Sequence, residues 1–172
     1  MKYLDKINNP KDLKKIPVGE LAELCGELRK YIIDTINQIG GHLAPTLGTI
    51  ELTTAIHYVF DAPKDKIVWD TGHQAYAHKV LTGRFSEFPT IRKYKGLSGF
   101  LKRSESEYDI FGAGHASTSI SAALGIASAR NLNDDDYKVV SIIGDGALSG
   151  GLAFEALNNA GNVRKQLLAV SY

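Results

Sequence analysis

The run YKVVSIIG at residues 137–144, followed at once by DGALSGG, limits what this chain can fold into more than any other stretch. From Val139 to Ile143 only Ser141 is polar, so this stretch lacks the in–out alternation of a half-exposed strand. A strand that is apolar on both sides needs cover on both faces, which is the condition of a parallel sheet wrapped in helices. Parallel neighbours must be joined by long crossovers, usually helical, and the flanking sequence supplies them. DKIVWD (65–70) and KQLLAVSY (165–172) read as further strands, with helical patterns between and before them. The predicted fold class is therefore α/β, with a mainly parallel sheet flanked by helices.

The helical segments follow from spacing. Leu21, Leu24, Cys25, Leu28, Tyr31, Ile32, Ile36 and Ile39 recur at helical intervals from Val18 to about Gln38, and Gly40 and Gly41 stop that helix. TIELTTAIHYVF (49–60) predicts a second helix, and TGHQAYAHKVLTG (71–83) a turn entering a third. GAGHAS (112–117) opens a small-residue helix reaching about Arg130, and residues 150–160 form another. Residues 1–17 are polar, contain Pro10 and Pro17, and read as an arm packed on a larger body. Residues 83–111 show little periodicity and form a long Gly-rich excursion, which in a compact domain tends to be functional or mobile. The last apolar strand is an unusual place for a parallel sheet to stop, so a truncated molecule is expected.

Composition excludes several function classes. Twenty Lys and Arg against 19 acidic residues leave a formal charge of +1, which offers no global field for nucleic acid or an anionic membrane. The single Cys25 forbids an internal disulfide or a cysteine-built metal site, and its helical position assigns it to the core. No apolar run is long enough to span a bilayer, and the N-terminus lacks a signal core, so the cytoplasm is the expected location.

Two Gly-rich junctions carry the chemistry. Asp145 stands where the buried strand reaches the surface, the edge at which open α/β sheets bind ligands. Gly144 and Gly146 let the backbone turn there without a Cβ in the way. A carboxylate so placed suits Mg²⁺, which takes oxygen ligands together with substrate phosphates; a tight turn with a solvated Asp accounts for a lone GDG as well. Neither the dinucleotide fingerprint nor a Walker loop can be read, because Ser149 stands where a Gly would be needed and no G-K-[ST] follows. In GAGHAST the small residues allow close packing, the free amides of the following helix would favour an anion, and Ser117, Thr118 and Ser119 add hydroxyls. Simple capping and packing remain the alternative. His42, His73 and His115 each follow a glycine directly, and imidazole can donate to a phosphate or relay a proton near neutral pH. Their spacing does not suit zinc. Trp69 is expected in the core, His57 in packing or at the surface, and Lys93, Lys95, Lys102 and Arg103 are available to attract a phosphate or to stand in a solvated loop.

Taken together, ELCGELRKYIIDTI, GGHLAPTLGTIELTTAIHYVF, WDTGHQAYAHKVLTGR, SEYDIFGAGHASTSISAALGIA and GDGALSGGLAFEALNNAG closely resemble the N-terminal part of the 1-deoxy-D-xylulose-5-phosphate synthases, thiamine-diphosphate enzymes related to transketolase. The resemblance implies that residues 1–172 are an incomplete diphosphate-binding domain. It implies Asp145 as a ligand of Mg²⁺, and Gly114, His115, Ala116, Ser117, Gly144, Gly146 and Ala147 beside the diphosphate. It implies His42, His73 and His115 as active-site histidines, with His73 also touching the cofactor. The family's reaction condenses pyruvate with D-glyceraldehyde 3-phosphate, with loss of carbon dioxide, through a thiamine-diphosphate carbanion, and its members are homodimers. A second asparagine ligand to the metal is expected at about position 174, past Tyr172, and the aminopyrimidine pocket belongs to a later domain. Pro45 stands where many relatives carry a small Ser. The expectation is that this chain alone binds cofactor weakly and is inactive. The alternatives are a split transketolase-like subunit that needs a partner chain, and a noncatalytic remnant.

Overall fold

The computed structural model of the chain describes residues 1–172 apart from Ala113, Arg164 and Lys165, and the side chain of His73 also lies outside what it describes. The chain forms two compact units, residues 1–61 with 73–99, and residues 62–72 with 100–172.

The first unit is helical. Asn9 caps α1 (Pro10–Leu13), its side chain accepting from the Lys11 amide at 2.9 Å, and Pro10 sits at the first helical position where no amide partner is lost. After a single 3-10 turn, α2 (Leu21–Ile39) buries Leu24, Leu28 and Ile32 completely, the face that the spacing predicted. Gly40 ends it at φ 78°, donating its N–H to the Ile36 carbonyl at 2.8 Å; that backbone conformation is nearly free for Gly and strained for most residues. The short α3 (Ala44–Leu47) leads into α4 (Ile50–Val59), and α5 (Tyr76–Lys79) runs on into a wide turn through Arg84. One apolar cluster joins Leu24, Leu28 and Ile32 to Ile50, Tyr76, Leu81 and Phe88. The polar opening segment contributes Leu4, Ile7, Leu13 and Ile16 to the same cluster. Beyond Arg84 the regular piece among this unit's described residues is a 3-10 turn at Phe88–Thr90. Phe88, Ile91 and Leu97 are nonetheless buried, and Thr90 Oγ1 accepts from the Leu97 amide at 3.2 Å.

Cys25 is buried as expected, its thiol 3.4 Å from Thr54 Oγ1. His57 is on the inward face of α4, with Nε2 2.9 Å from Nδ1 of His78 and both rings fully buried.

The second unit holds the sheet. β1 (Lys66–Trp69), β2 (Val139–Ile143) and β3 (Leu168–Ser171) lie in that order, all parallel, with Trp69 opposite Ile142 and Ile142 opposite Val170. β2 is buried at every position, as its composition requires of a central strand. Trp69 is fully buried. α6 (Ser119–Leu132) covers the sheet with small residues: Ala123 and Ala127, both fully buried, pack with Val68 and Val139. α7 (Gly151–Val163) sets Ala153 and Ala156 against Ile143 and Ile120. Buried Arg130 donates to the carbonyls of Tyr137 and Gln166, both at 3.1 Å, tying the end of α6 to the approaches of β2 and β3.

One boundary differs from expectation. GAGHAST is not the first turn of α6: Ser117 has φ 55° and the helix starts at Ser119. A left-handed residue cannot continue an α-helix, so residues 114–118 stay outside the helix.

Candidate functional site

Three adjacent parallel strands end on one rim in the second unit, and a polar residue stands within two positions of each end. Asp70 follows β1, Gly144 and Asp145 follow β2, and Tyr172 follows β3. Backbone bonds hold the ends level: the Asp70 N–H donates to Ile142 O at 2.8 Å, and the Asp145 N–H to Tyr172 O at 3.2 Å. Asp145 is exposed, and its Oδ1 accepts from the Gly146 amide at 2.7 Å. Residues Asp145–Ser149 turn as a 3-10 segment, with Ser149 Oγ donating to Gly146 O at 2.7 Å. A Cβ at Gly146 would meet nothing within 4 Å, so the backbone beside the carboxylate faces open space.

The loop before α6 forms a second wall. Gly114, His115 and Ala116 are exposed, and open space also surrounds Gly114. The His115 ring stands edge-on to Phe100, with centroids 5.6 Å apart and planes at 85°. Ser117 is seated on the turn that follows Asp145: a Cβ on Gly150 would come within 2.5 Å of Ser117 Oγ and 2.9 Å of Ser117 Cβ. Of the expected residues, the structure thus sets Ser117 against the turn that begins at Asp145, through Gly150.

One of the helix amides expected to attract an external anion already faces a carboxylate of the protein. The Ser119 N–H donates to Asp70 Oδ1 at 2.9 Å, and Asp70 is fully buried. A carboxylate complements a helix N-terminus both as acceptor and as charge, so the Ser119 amide is satisfied from within the protein. Asp70 is a buried rim residue that the sequence reading did not single out. The available signal was its position, since WD ends β1 as GD ends β2. Its second oxygen, Oδ2, has no partner among the described residues, and neither does the buried hydroxyl of Tyr172. Burial, and then the negative charges of Asp145 and Asp70, raise the Tyr172 pKa, so this phenol remains a proton donor at neutral pH.

His42 and His73 belong to the first unit. His42 is exposed in the loop after Gly40. That loop lies over Tyr76, where a Cβ on Gly41 would stand 3.5 Å from the Tyr76 hydroxyl; burial raises the pKa of that phenol. Thr49 Oγ1 donates to Gln74 O at 2.8 Å, so the segment leading from His42 into α4 adjoins the Gly72–Ala75 turn that carries His73. The expected role of the His73 side chain lies outside the described residues. The basic residues Lys93, Lys95, Lys102 and Arg103 are all exposed.

The rim fits a hard cation in part. Mg²⁺ takes oxygen ligands and keeps substrate phosphates and waters in its shell; an exposed carboxylate, with Asp70 and a phenol behind it, is oxygen-rich and negative. Among the described residues no group of three His, Cys, Asp or Glu could hold a metal ion. The described donors therefore amount to an incomplete set, whose remaining ligands would come from a phosphorylated ligand, water or other protein groups. The open backbone at Gly114 and Gly146 suits the close approach of such a ligand.

A family model described as 1-deoxy-D-xylulose-5-phosphate synthase matches residues 4–171. The chain belongs to that family. Its curated relatives include 1-deoxy-D-xylulose-5-phosphate synthases of Carboxydothermus hydrogenoformans, 62% identical over 167 residues, and Desulforudis audaxviator, 59% identical over 170. These alignments cover 97% and 99% of this chain but 27% of each relative, so the chain spans about a quarter of the synthases it matches. Among solved structures, transketolase from Campylobacter jejuni superposes with a TM-score of 0.75 at 19% identity, over 91% of this chain and 28% of that one. That likeness establishes the fold: the three-stranded parallel sheet with its covering helices is shared with transketolase. No helix among the described residues is long and apolar enough to cross a membrane.

Proposed function

We propose that this chain supplies the diphosphate-holding part of a thiamine-diphosphate-dependent 1-deoxy-D-xylulose-5-phosphate synthase. The full-length protein condenses pyruvate with D-glyceraldehyde 3-phosphate, with loss of carbon dioxide, and works as a homodimer. One observation carries the reading: the Ser117 loop is seated on the turn that follows Asp145, at the carboxyl rim of the sheet.

In this reading Asp145 is the chain's ligand to Mg²⁺, with one oxygen already oriented by the Gly146 amide. Gly114, Ala116 and Ser117 on one side, and Gly144, Gly146 and Ala147 on the other, let backbone approach the diphosphate. When bound, the cofactor supplies the electron sink that lets pyruvate lose carbon dioxide and lets its two-carbon unit add to an aldehyde. The protein's share is orientation, exclusion of water and movement of protons. His115, held edge-on by Phe100, walls the cofactor. His42 and His73 hold the substrate's phosphate or hydroxyls and exchange protons with them, a task suited to imidazole near neutral pH.

The test is Asp145→Asn in the full-length protein, with cofactor affinity measured in Mg²⁺ beside glyceraldehyde-phosphate-dependent consumption of pyruvate. Asp145 is exposed, so the thermal midpoint should hold, while affinity for thiamine diphosphate should fall about 100-fold or more, as for loss of a charged metal ligand. Unchanged cofactor affinity in this variant, or a wild-type protein that consumes no pyruvate, would overturn the reading.

A further inference from the structure

We propose that Asp70 is a positioning residue for the cofactor site, its buried carboxylate setting the Ser117 loop in register with the strand end that presents Asp145. The inference deepens the reading above and rests on it.

The argument begins with how α6 is capped. Where a side chain caps a helix start, the residue just before the helix commonly supplies it. Here Thr118 holds that position in a helical conformation, and its side chain makes no capping bond. The cap comes instead from Asp70, 49 residues away, whose Oδ1 accepts from the Ser119 N–H at 2.9 Å. A local cap would serve the helix alone, whereas a remote one ties the start of the helix to another element. Asp70 is itself fixed to the sheet, donating its N–H to Ile142 O at 2.8 Å. Ser119 Oγ lies 3.0 Å from Oγ of Ser141, the one polar residue of β2.

These contacts form a polar knot inside an otherwise apolar layer, with Asp70, Ser119 and Ser141 all at 0% exposure. Both walls of the site hang from it. Ser119 is two residues beyond Ser117, and Ser141 is four residues before Asp145. A buried carboxylate with an oxygen left unpartnered is costly. A neutral cap would avoid that cost, so a plain helix-stabilising role accounts poorly for it. The small side chains of Ser119 and Ser141 leave no slack: a shift of α6 along β2 breaks both hydrogen bonds together.

The experiment compares Asp70→Asn and Ser141→Ala with wild type in the full-length protein. It measures hydrogen exchange in the cofactor-free state, affinity for thiamine diphosphate with Mg²⁺, kcat at saturating cofactor, and the thermal midpoint. Asp70→Asn keeps the shape but removes the charge, and should speed exchange at the amides of residues 114–120 by about tenfold through easier local opening. It should weaken cofactor binding by about tenfold, a larger effect than its loss of kcat. Ser141→Ala should shift both readouts in the same direction and by less, and it decides the matter alone if Asp70→Asn does not fold.

A lowered thermal midpoint with unchanged cofactor affinity would reduce Asp70 to a structural cap and overturn the proposal. Unchanged exchange at 114–120 would overturn it as well. If wild type binds no thiamine diphosphate, the functional reading fails on its own. The exchange measurement then still decides whether Asp70 sets the loop.

Discussion

Gly150 shows how a single missing methyl group can shape this site. Its backbone is ordinary (φ −73°, ψ 131°), so conformational freedom does not explain the glycine; the space above it does. Ser117 occupies the position that a Cβ would need, with Ser117 Oγ at 2.5 Å and the carbonyl of Ala147 at 3.3 Å. Gly150→Ala should therefore lift the Ser117 loop from its seat at a cost of about 1–3 kcal/mol, the range for overpacking a tight contact. Adding Ser117→Gly should recover most of that loss, because it removes the clashing atoms and replaces a non-glycine residue at φ 55°. Chemical denaturation of the two single variants and the double variant reads the coupling directly. Additive losses would show that the two residues do not press on each other.

Among the elements, α4 and α5 meet through a pair of buried histidines that the helical pattern left undecided. His57 and His78 stack with centroids 5.0 Å apart and share the hydrogen bond between Nε2 and Nδ1. Burial first, and then the nearby charges of His78, Lys14 and Arg84, push the His57 pKa well below its ordinary value. The sign of the linkage follows. Above about pH 6.5 His57 is neutral in both the folded and unfolded chain, so its contribution to stability is fully present there. Below that, the unfolded chain takes up a proton that the folded one refuses, and stability falls by up to about 1.4 kcal/mol per pH unit until the folded value is reached. His57→Gln, which keeps a hydrogen-bonding group, should flatten the stability–pH curve between about pH 7 and pH 5 by close to one proton. Urea denaturation across that range measures it. An unchanged slope would mean that His57 already carries its proton in the fold.

At the scale of the whole molecule, the second unit exposes what a complete α/β sheet would cover. β3 is open along its length, with Leu168 at 47% exposure, and α7 leaves Leu152, Phe154 and Leu157 exposed. A parallel sheet is normally covered on both faces, and an open edge with apolar neighbours invites association. The described donors at the rim also form an incomplete set for a metal. The 172-residue chain on its own should therefore self-associate as its concentration rises, bind thiamine diphosphate with Mg²⁺ weakly, and consume no pyruvate. Sedimentation together with calorimetric titration checks this; a monodisperse monomer that binds cofactor tightly would contradict it. The full-length protein should show tight binding in the same titration.

What could be read from the residues alone was whatever is decided by neighbours a few positions apart. The buried face of α2, its stop at Gly40, the central place of β2 and the surfacing of Asp145 at a strand end all follow from spacing, glycine placement and the two-sided covering of a parallel strand. The family motifs were legible for the same reason, since each is a contiguous string. The tertiary structure decided the rest, because the partners are remote in the chain. Asp70 meets Ser119 across 49 residues, and Ser141 meets Ser119 across 22. No periodicity encodes such pairings; they exist only once strands and helices are stacked. The true start of α6 depended on them too. Thr118 offers no side-chain cap, and a carboxylate at the end of β1 sets where the helix begins.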